Sequence, residues 1–147
     1  MAGGAIAPLP SSVGTYALVF SLAERRSACV GALGSITFEP GYLVYVGSAF
    51  GPGGLRARVL RHARLGKRKH WHIDYLRPHL ELAEVWLTTS TRRQEHAWAE
   101  RLNEALDVAA ARFGASDCRC AAHLFHSAER PDANIIADGE PVAVWQP

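Results

Sequence analysis

A chain of 147 residues, of which 48% are hydrophobic and 20% charged, has the composition of one globular domain that can bury a sizeable core. No apolar run approaches the roughly 18 residues that a membrane span requires, and the start from Met1 to Ala5 has neither the basic segment nor the apolar stretch of a signal peptide. Three cysteines are too few for the disulfide framework of a secreted domain, so we expect a reduced, cytoplasmic protein with no membrane partner.

Residues 1–12 are small and proline-rich, which predicts a flexible arm. From Gly14 to Leu22 the alternation of side chains predicts a strand with Tyr16 on one face. Residues 28–38 are expected to be extended. Residues 42–48, rich in β-branched and aromatic side chains, predict a further strand.

A turn and a basic helix follow. The glycines and proline of residues 51–54 end the strand, and the spacing of Leu55, Val59 and His62 places them on one helix face. Arg58 lies at the edge of that face, four residues before His62. One arginine and one histidine should therefore be held against the sheet. The other arginines of the helix are expected to point to solvent: Arg56, Arg61 and Arg64.

The C-terminal half predicts a long helix between strands. Residues 70–76 show no clear preference for helix or strand, and Pro78 ends them. A helix is predicted at residues 92–112, with N-cap oxygens just before it and Gly114 as its stop. The remaining predicted elements are a strand at residues 82–88, a strand at residues 121–126 and a small hairpin around Asp138 and Gly139.

These elements predict an α+β fold in which a small antiparallel sheet of three to four strands is flanked by helices. We divide the chain into a flexible arm at residues 1–12, one folded domain at residues 13–127 and a C-terminal extension at residues 128–147.

Positive charge is concentrated in one window. The chain carries a net charge of +2, but residues 54–77 contain eight lysines and arginines against a single acid, so this window carries +7 and the remainder −5. Such a block is typical of a polyanionic partner, and a solvated charged face is the alternative. Interleaved Trp and His residues favour nucleic acid. The predicted binding residues are Arg56, Arg61, Arg64, Lys67, Arg68, Lys69, His70, Trp71 and His72.

The long helix carries two candidate carboxylates on different faces. Glu95 falls on the apolar face with Trp98, whereas Glu100 faces water. An acid on an apolar face is costly unless it is paired, protonated or bound to metal, so Glu95 is the favoured metal ligand. A surface carboxylate paired with a nearby arginine is the alternative for either residue.

Two tripeptides, Gly14-Thr15-Tyr16 and Tyr45-Val46-Gly47, precede Arg58, His62 and a helical glutamate. These residues, in this order, resemble the motifs of the GIY-YIG endonuclease superfamily. Thr15 and Val46 stand at the positions where the motifs that name the superfamily have Ile. The chain is most similar to the small stand-alone Uri-type branch. Relatives in that branch carry close equivalents of residues 70–74 and 116–123.

The resemblance implies a metal-dependent endonuclease that hydrolyses DNA phosphodiester bonds by one-step attack of water. Arg58 would clamp the scissile phosphate, because a guanidinium group stays charged and offers a fork of donors. Tyr16 would orient or deprotonate the attacking water, and Tyr45 would hydrogen-bond near the phosphate. His62 is an acid–base or phosphate-contact candidate. Buried structural roles are the alternative for the tyrosines and the histidine.

The resemblance also implies one Mg²⁺ or Mn²⁺ ion, held by Glu95. Some relatives have two glutamates at this spacing and use the second, which points to Glu100 as the alternative ligand. DNA is the expected partner, whether single-stranded, damaged or branched, and RNA remains open.

Two further groups could bind a transition metal. His70, His72 and Asp74 could do so if their segment is extended. The pattern Cys118-x-Cys120-x-x-His123 supplies soft ligands but lacks the Cys-x-x-Cys spacing typical of structural zinc. We therefore do not expect zinc and favour packing or substrate contact at the rim of a cleft for both groups.

Two other functions fit the same residues. The fold could serve as a nucleic-acid-binding module with weak or no cleavage, or as a protein-interaction domain whose basic face meets an acidic partner. Retention of both tyrosines, Arg58, His62 and Glu95 in one chain favours the endonuclease.

Overall fold

The computed structural model describes residues 8–66, 68–69, 71–113, 120, 122–139 and 141–147. The strands of this part are β1 (Gly14–Leu22), β2 (Arg26–Cys29), β3 (Ser35–Phe38), β4 (Gly41–Ala49), β5 (Glu81–Thr88), β6 (Asp107–Val108), β7 (Leu124–Ser127) and β8 (Ala143–Trp145). The α-helices are α1 (Gly54–Ala63), α2 (His72–Leu76) and α3 (Glu95–Ala105), and 3₁₀ turns lie at Gly31–Leu33, Arg77–His79 and Ala133–Ile136. None of the helices found in these residues is long and apolar enough to cross a bilayer.

An antiparallel sheet of six strands forms the centre of the described part of the protein, in the order β6-β7-β4-β1-β5-β8. The predicted α+β class is confirmed. The sheet is larger than the three to four strands expected, because the short strands β6 and β8 extend its two edges. The extended segment predicted at residues 28–38 lies instead in a separate hairpin of β2 and β3, with a 3₁₀ turn between them.

Side chains that alternate along β1 and β4 enter two cores on opposite faces of the sheet. Tyr16 and Tyr45 belong to one core, together with Leu55 of α1. The other core contains Trp98 and Leu102 of α3. Helices therefore cover both faces, and α1 and α3 reach the end of β4 from opposite sides.

The long helix is shorter than predicted. α3 has 11 residues, where the sequence predicted a helix over residues 92–112. At its start the N–H of Gln94 donates to the Thr15 hydroxyl at 3.2 Å, so the helix begins against β1 rather than at the expected upstream cap. At its end Asp107 and Val108 pair with β7, because pairing at the sheet edge outweighs the helix propensity of the alanines that follow.

The other predicted elements of the C-terminal half are confirmed in part. The ambiguous segment is helical in α2, and Pro78 lies in the 3₁₀ turn that follows. β5 and β7 correspond to the strands predicted at residues 82–88 and 121–126. The prediction of a hairpin around Asp138 and Gly139 is wrong, because β8 pairs with the distant strand β5 instead.

The first four N–H groups of α1 are all bonded to backbone carbonyl oxygens. These oxygens belong to Pro10, Ser12, Gly51 and Gly53, at distances between 2.8 and 3.3 Å. Leu9, in the same N-terminal segment, is buried in the core. Residues 9–12 thus pack against the start of α1. The division of the chain into an arm, a folded domain and a C-terminal extension stays a prediction.

Candidate active site

Tyr16 and Gly47 face each other across the two central strands. They are register partners in the β1–β4 pair, and the phenol ring lies across the glycine. A methyl group at position 47 would come within 2.3 Å of the Tyr16 hydroxyl oxygen and 2.5 Å of Cζ. Glycine is therefore required here for the close packing of the tyrosine.

Gly47→Ala should displace the Tyr16 ring and lower the free energy of unfolding by about 1–3 kcal/mol, the usual cost of overpacking a core. The matched control is Gly51→Ala, since a methyl group there would meet no atom of the described residues within 4 Å and its φ lies outside the left-handed region. Chemical denaturation measures both changes. Equal stability of the two variants would contradict the packing argument.

The hydroxyl group of Tyr16 contacts His62 on the inner face of α1. The oxygen lies 2.9 Å from His62 Nε2, and both side chains are almost fully buried. The ring centroid of Tyr45 lies 5.7 Å from that of His62. Burial raises the pKa of both tyrosines, and the Arg58 guanidinium opposes this increase at Tyr16 without overcoming it. Both phenols are therefore neutral hydrogen-bonding groups near pH 7.

Ser48, at the end of β4, joins α1 to α3. Its carbonyl oxygen accepts a hydrogen bond from Arg58 Nη1 at 2.9 Å. Its hydroxyl donates to Glu95 Oε1, at the first position of α3. One residue thus connects side chains that come from opposite faces of the sheet. Sequence reasoning missed Ser48, although a lone polar residue directly after the second tripeptide was a signal.

Glu95 is a partly buried carboxylate, whereas Glu100 is exposed. Oε2 of Glu95 lies 2.8 Å from His123 Nδ1. Burial raises the pKa of Glu95, but hydrogen bonds from His123 and Ser48 together hold it below its ordinary value, so the group is ionised near pH 7. An ionised carboxylate that keeps 24% of its side chain exposed fits Mg²⁺ or Mn²⁺, since these hard cations prefer oxygen ligands and Mg²⁺ retains several waters.

Arg61 does not point to solvent, contrary to the sequence prediction. Its guanidinium group donates to both carboxylate oxygens of Asp74, at 3.2 and 3.0 Å, and the Asp74 side chain is only 1% exposed. Asp74 also accepts a hydrogen bond from the N–H of Trp71 at 2.9 Å. The prediction was wrong because the pattern of a single helix does not show that α2 packs beside it.

Arg61→Ala should lower the free energy of unfolding by about 2–3 kcal/mol, because it leaves the buried Asp74 carboxylate without its cation. We expect a smaller loss of stability than for a fully buried ion pair, since 22% of the Arg61 side chain is exposed. Arg25→Ala is the control: Arg25 and Glu39 form an ion pair at 3.1 Å with both side chains more than half exposed. Surface pairs contribute roughly 0–1 kcal/mol, so similar losses in thermal unfolding would contradict the argument.

The other members of the basic block lie around α1 and α2. Trp71 contacts both Arg58 and Arg61, whose guanidinium carbons lie 4.7 and 4.2 Å from a ring centroid of the indole. The exposed members are Arg56, Arg64, Arg68 and Lys69. Lys67 and His70 lie outside the described residues.

Only part of the metal-binding row considered at residues 70–74 is extended. Trp71 has an extended backbone, but His72 and Asp74 lie in α2 (His72–Leu76). The His72 ring is half-buried, 5.5 Å from the Phe113 ring, and burial lowers its pKa. Asp74 already accepts hydrogen bonds from Arg61. The metal site required an extended segment, and the helix at His72 and Asp74 does not meet that requirement.

A second group of polar side chains lies next to Glu95. One ligand atom from each of His96, Cys120 and His123 lies within 4.8 Å of the others. His123 is buried, Cys120 half-buried and His96 exposed. Cys118, the remaining residue of the predicted group, lies outside the described residues. Sequence reasoning missed His96 because α3 is distant from the cysteine segment along the chain.

Comparison with known proteins gives one family. A family model described as "Domain of unknown function DUF123" matches residues 15–140, a span that contains all the site residues discussed above. No curated protein and no solved structure matches the chain. Because the match covers most of the 147 residues, the chain belongs to the DUF123 family.

Proposed function

We propose that this protein is a metal-dependent endonuclease that hydrolyses DNA phosphodiester bonds, of GIY-YIG type and close to the Uri-type branch. The strongest support is the contact of Ser48 with both Arg58 and Glu95. This contact brings the proposed phosphate clamp and the proposed metal-binding carboxylate to one point. A cation, a carboxylate and a nearby proton acceptor are what hydrolysis of a phosphodiester requires.

Arg58 holds the scissile phosphate in this proposal. Its guanidinium fork can bind two phosphate oxygens at once. One nitrogen is bonded to the Ser48 carbonyl, and the Trp71 ring lies against the group, so its orientation is set before substrate binds. Donors placed in advance stabilise the charge that develops on the phosphate oxygens.

Tyr16 and His62 provide a path for the proton of the attacking water. A phenol with a raised pKa is a poor base by itself. It can accept the proton of water while it passes its own proton to His62 Nε2, 2.9 Å away. The water oxygen then bonds to phosphorus as the bond to the leaving oxygen breaks, and the leaving oxygen takes a proton from solvent. Tyr45 packs against the His62 ring and helps to position it.

Glu95 would hold the divalent ion. When bound, Mg²⁺ or Mn²⁺ supplies positive charge against the negative charge that develops during cleavage. The Ser48 hydroxyl and the His123 ring contact the two carboxylate oxygens and so orient the carboxylate. Its lowered pKa keeps it ionised, as a metal ligand must be.

End-labelled substrates test the proposal directly. Single strands, duplexes, abasic duplexes, flaps and junctions, as DNA and as RNA, are incubated with Mg²⁺ or Mn²⁺. We expect cleavage of at least one DNA substrate and its loss when a chelator is added. A folded protein that cleaves none of them would overturn the proposal.

A nucleic-acid-binding module with weak cleavage is the second candidate, favoured by the burial of Tyr16, whose side chain has little access to water. It predicts binding that weakens steeply with salt, without divalent-dependent cleavage. Arg64→Glu is the suitable probe of the basic block, because Arg64 is exposed, whereas Arg61 is half-buried and pairs with the buried Asp74. Competition by unrelated DNA separates both candidates from a protein-interaction domain.

A further inference from the structure

We propose that His96, Cys120 and His123 bind one zinc ion at a site distinct from the Mg²⁺ or Mn²⁺ site of the proposed nuclease. One ligand atom from each residue lies within 4.8 Å of the other two, so small side-chain rotations would bring all three to one ion. The proposal departs from the sequence expectation because His96, from α3, supplies a ligand that the cysteine spacing did not show.

The backbone positions one of the ligands firmly. The carbonyl of His123 accepts a hydrogen bond from Val46 of β4 at 2.9 Å, and its N–H donates to the Phe113 carbonyl at 2.7 Å. His96 is the second residue of α3, whose inner face packs on the same sheet. The ring centroids of the two histidines lie 6.0 Å apart. The sheet and α3 therefore bring the histidines together in the folded chain.

The chemistry of the group selects the class of metal. Two imidazoles and one thiol are nitrogen and sulfur donors, which suit zinc and disfavour Mg²⁺. Three protein ligands leave the fourth position of a tetrahedral ion open to water or another group. A site of this kind would attach Cys120 to α3 and His123 and would lie beside Glu95.

Glu95 gives the group a feature typical of metal-bound histidines. Its Oε2 lies 2.8 Å from Nδ1 of His123. Histidine ligands usually contact a carboxylate or carbonyl through the ring nitrogen that does not bind metal, and loss of that partner costs about 10–100-fold in metal affinity. Glu95 would therefore act on this site through His123 and connect it to Ser48.

Metal content and cobalt spectroscopy of the full chain test the site. Purified protein should contain about one equivalent of zinc and, after exchange, bind one Co²⁺ with a near-ultraviolet thiolate-to-cobalt band. Cys120→Ser should abolish the band, and His96→Asn should weaken Co²⁺ binding at least tenfold. Because His96 is exposed, its replacement should leave the fold intact, which circular dichroism checks. Glu95→Gln should weaken Co²⁺ binding by about 10–100-fold.

Cys29→Ser is the matched control, since Cys29 is exposed in β2, and it should keep the band. Absence of zinc and of Co²⁺ binding would overturn the proposal. So would a band that survives Cys120→Ser but is lost in Cys118→Ser or Cys29→Ser. Arg58→Lys should bind Co²⁺ like the parent. Co²⁺ binding without nuclease activity would overturn the proposed function alone, and nuclease activity without Co²⁺ binding would overturn the zinc site alone.

Discussion

Arg58→Lys is expected to lower turnover by about 10²–10³-fold while apparent substrate affinity stays nearly unchanged. Lysine keeps the charge and the helix propensity, so general attraction to DNA and stability should change little. It lacks the planar guanidinium fork, which can bind two phosphate oxygens while another N–H donates to the Ser48 carbonyl. Single-turnover cleavage at saturating substrate measures the effect.

Arg56→Lys is the matched control for this experiment. Arg56 lies on the same helix, is exposed and carries the same charge. Its replacement should leave turnover unchanged. If both variants cleave like the parent, Arg58 does not hold the scissile phosphate. The roles proposed for Tyr16 and Glu95 would then also fail, because both are placed around that phosphate.

Glu95→Gln is expected to lower metal-dependent cleavage by about 10³-fold or more, because the divalent ion that Glu95 would hold under the proposed function would contribute several kcal/mol to stabilising the transition state. Glutamine has nearly the same shape and can still accept a hydrogen bond from the Ser48 hydroxyl. DNA binding should therefore persist. Cleavage rates across a titration of Mn²⁺ separate lost metal affinity from lost turnover.

Glu100→Gln, on the exposed side of the same helix, should have a mild effect. The reverse order of effects would assign the metal to Glu100 and contradict the helix-face argument. Zinc content of both variants should be measured in the same experiment, since loss of zinc from Glu95→Gln offers a second route to lower activity.

The lowered pKa of Glu95 also predicts how its effect on stability depends on pH. A group whose pKa is lower in the folded protein stabilises it above its unfolded pKa, and this contribution is lost as the pH falls through the folded value. The difference in melting temperature between the parent and Glu95→Gln should therefore be largest near neutral pH and shrink in acid. A constant difference would contradict the hydrogen bonds assigned to this carboxylate.

Local patterns predicted the centre of the fold. Alternation of side chains located β1 and β4, and the change of period at Leu55 located α1, because each of these signals depends on neighbouring residues alone. The inward position of His62 followed from the same helix period and is confirmed by its burial. These elements bring the two tyrosines and Arg58 together.

Features that depend on distant pairing were missed. α3 ends early because Asp107 and Val108 pair with β7, and β8 crosses to β5 instead of forming a hairpin. Arg61 turns inward because Asp74 arrives from another helix. Ser48 and His96 gain their importance only from neighbours far away in sequence. In each of these cases the residue's position is decided by a partner from another strand or helix, and a local sequence pattern does not show which elements will pack together.

The start of α1 has a consequence for how substrate can be recognised. A glycine-rich turn that leads into a helix is a common seat for phosphate, whose oxygens bind the open amides of the first turn. In this chain Pro10, Ser12, Gly51 and Gly53 already occupy those amides. An incoming anion would have to break backbone bonds that hold the protein together. Under the proposed function, contacts to phosphate would therefore come from side chains such as that of exposed Arg64, and single surface substitutions would change affinity without altering the backbone.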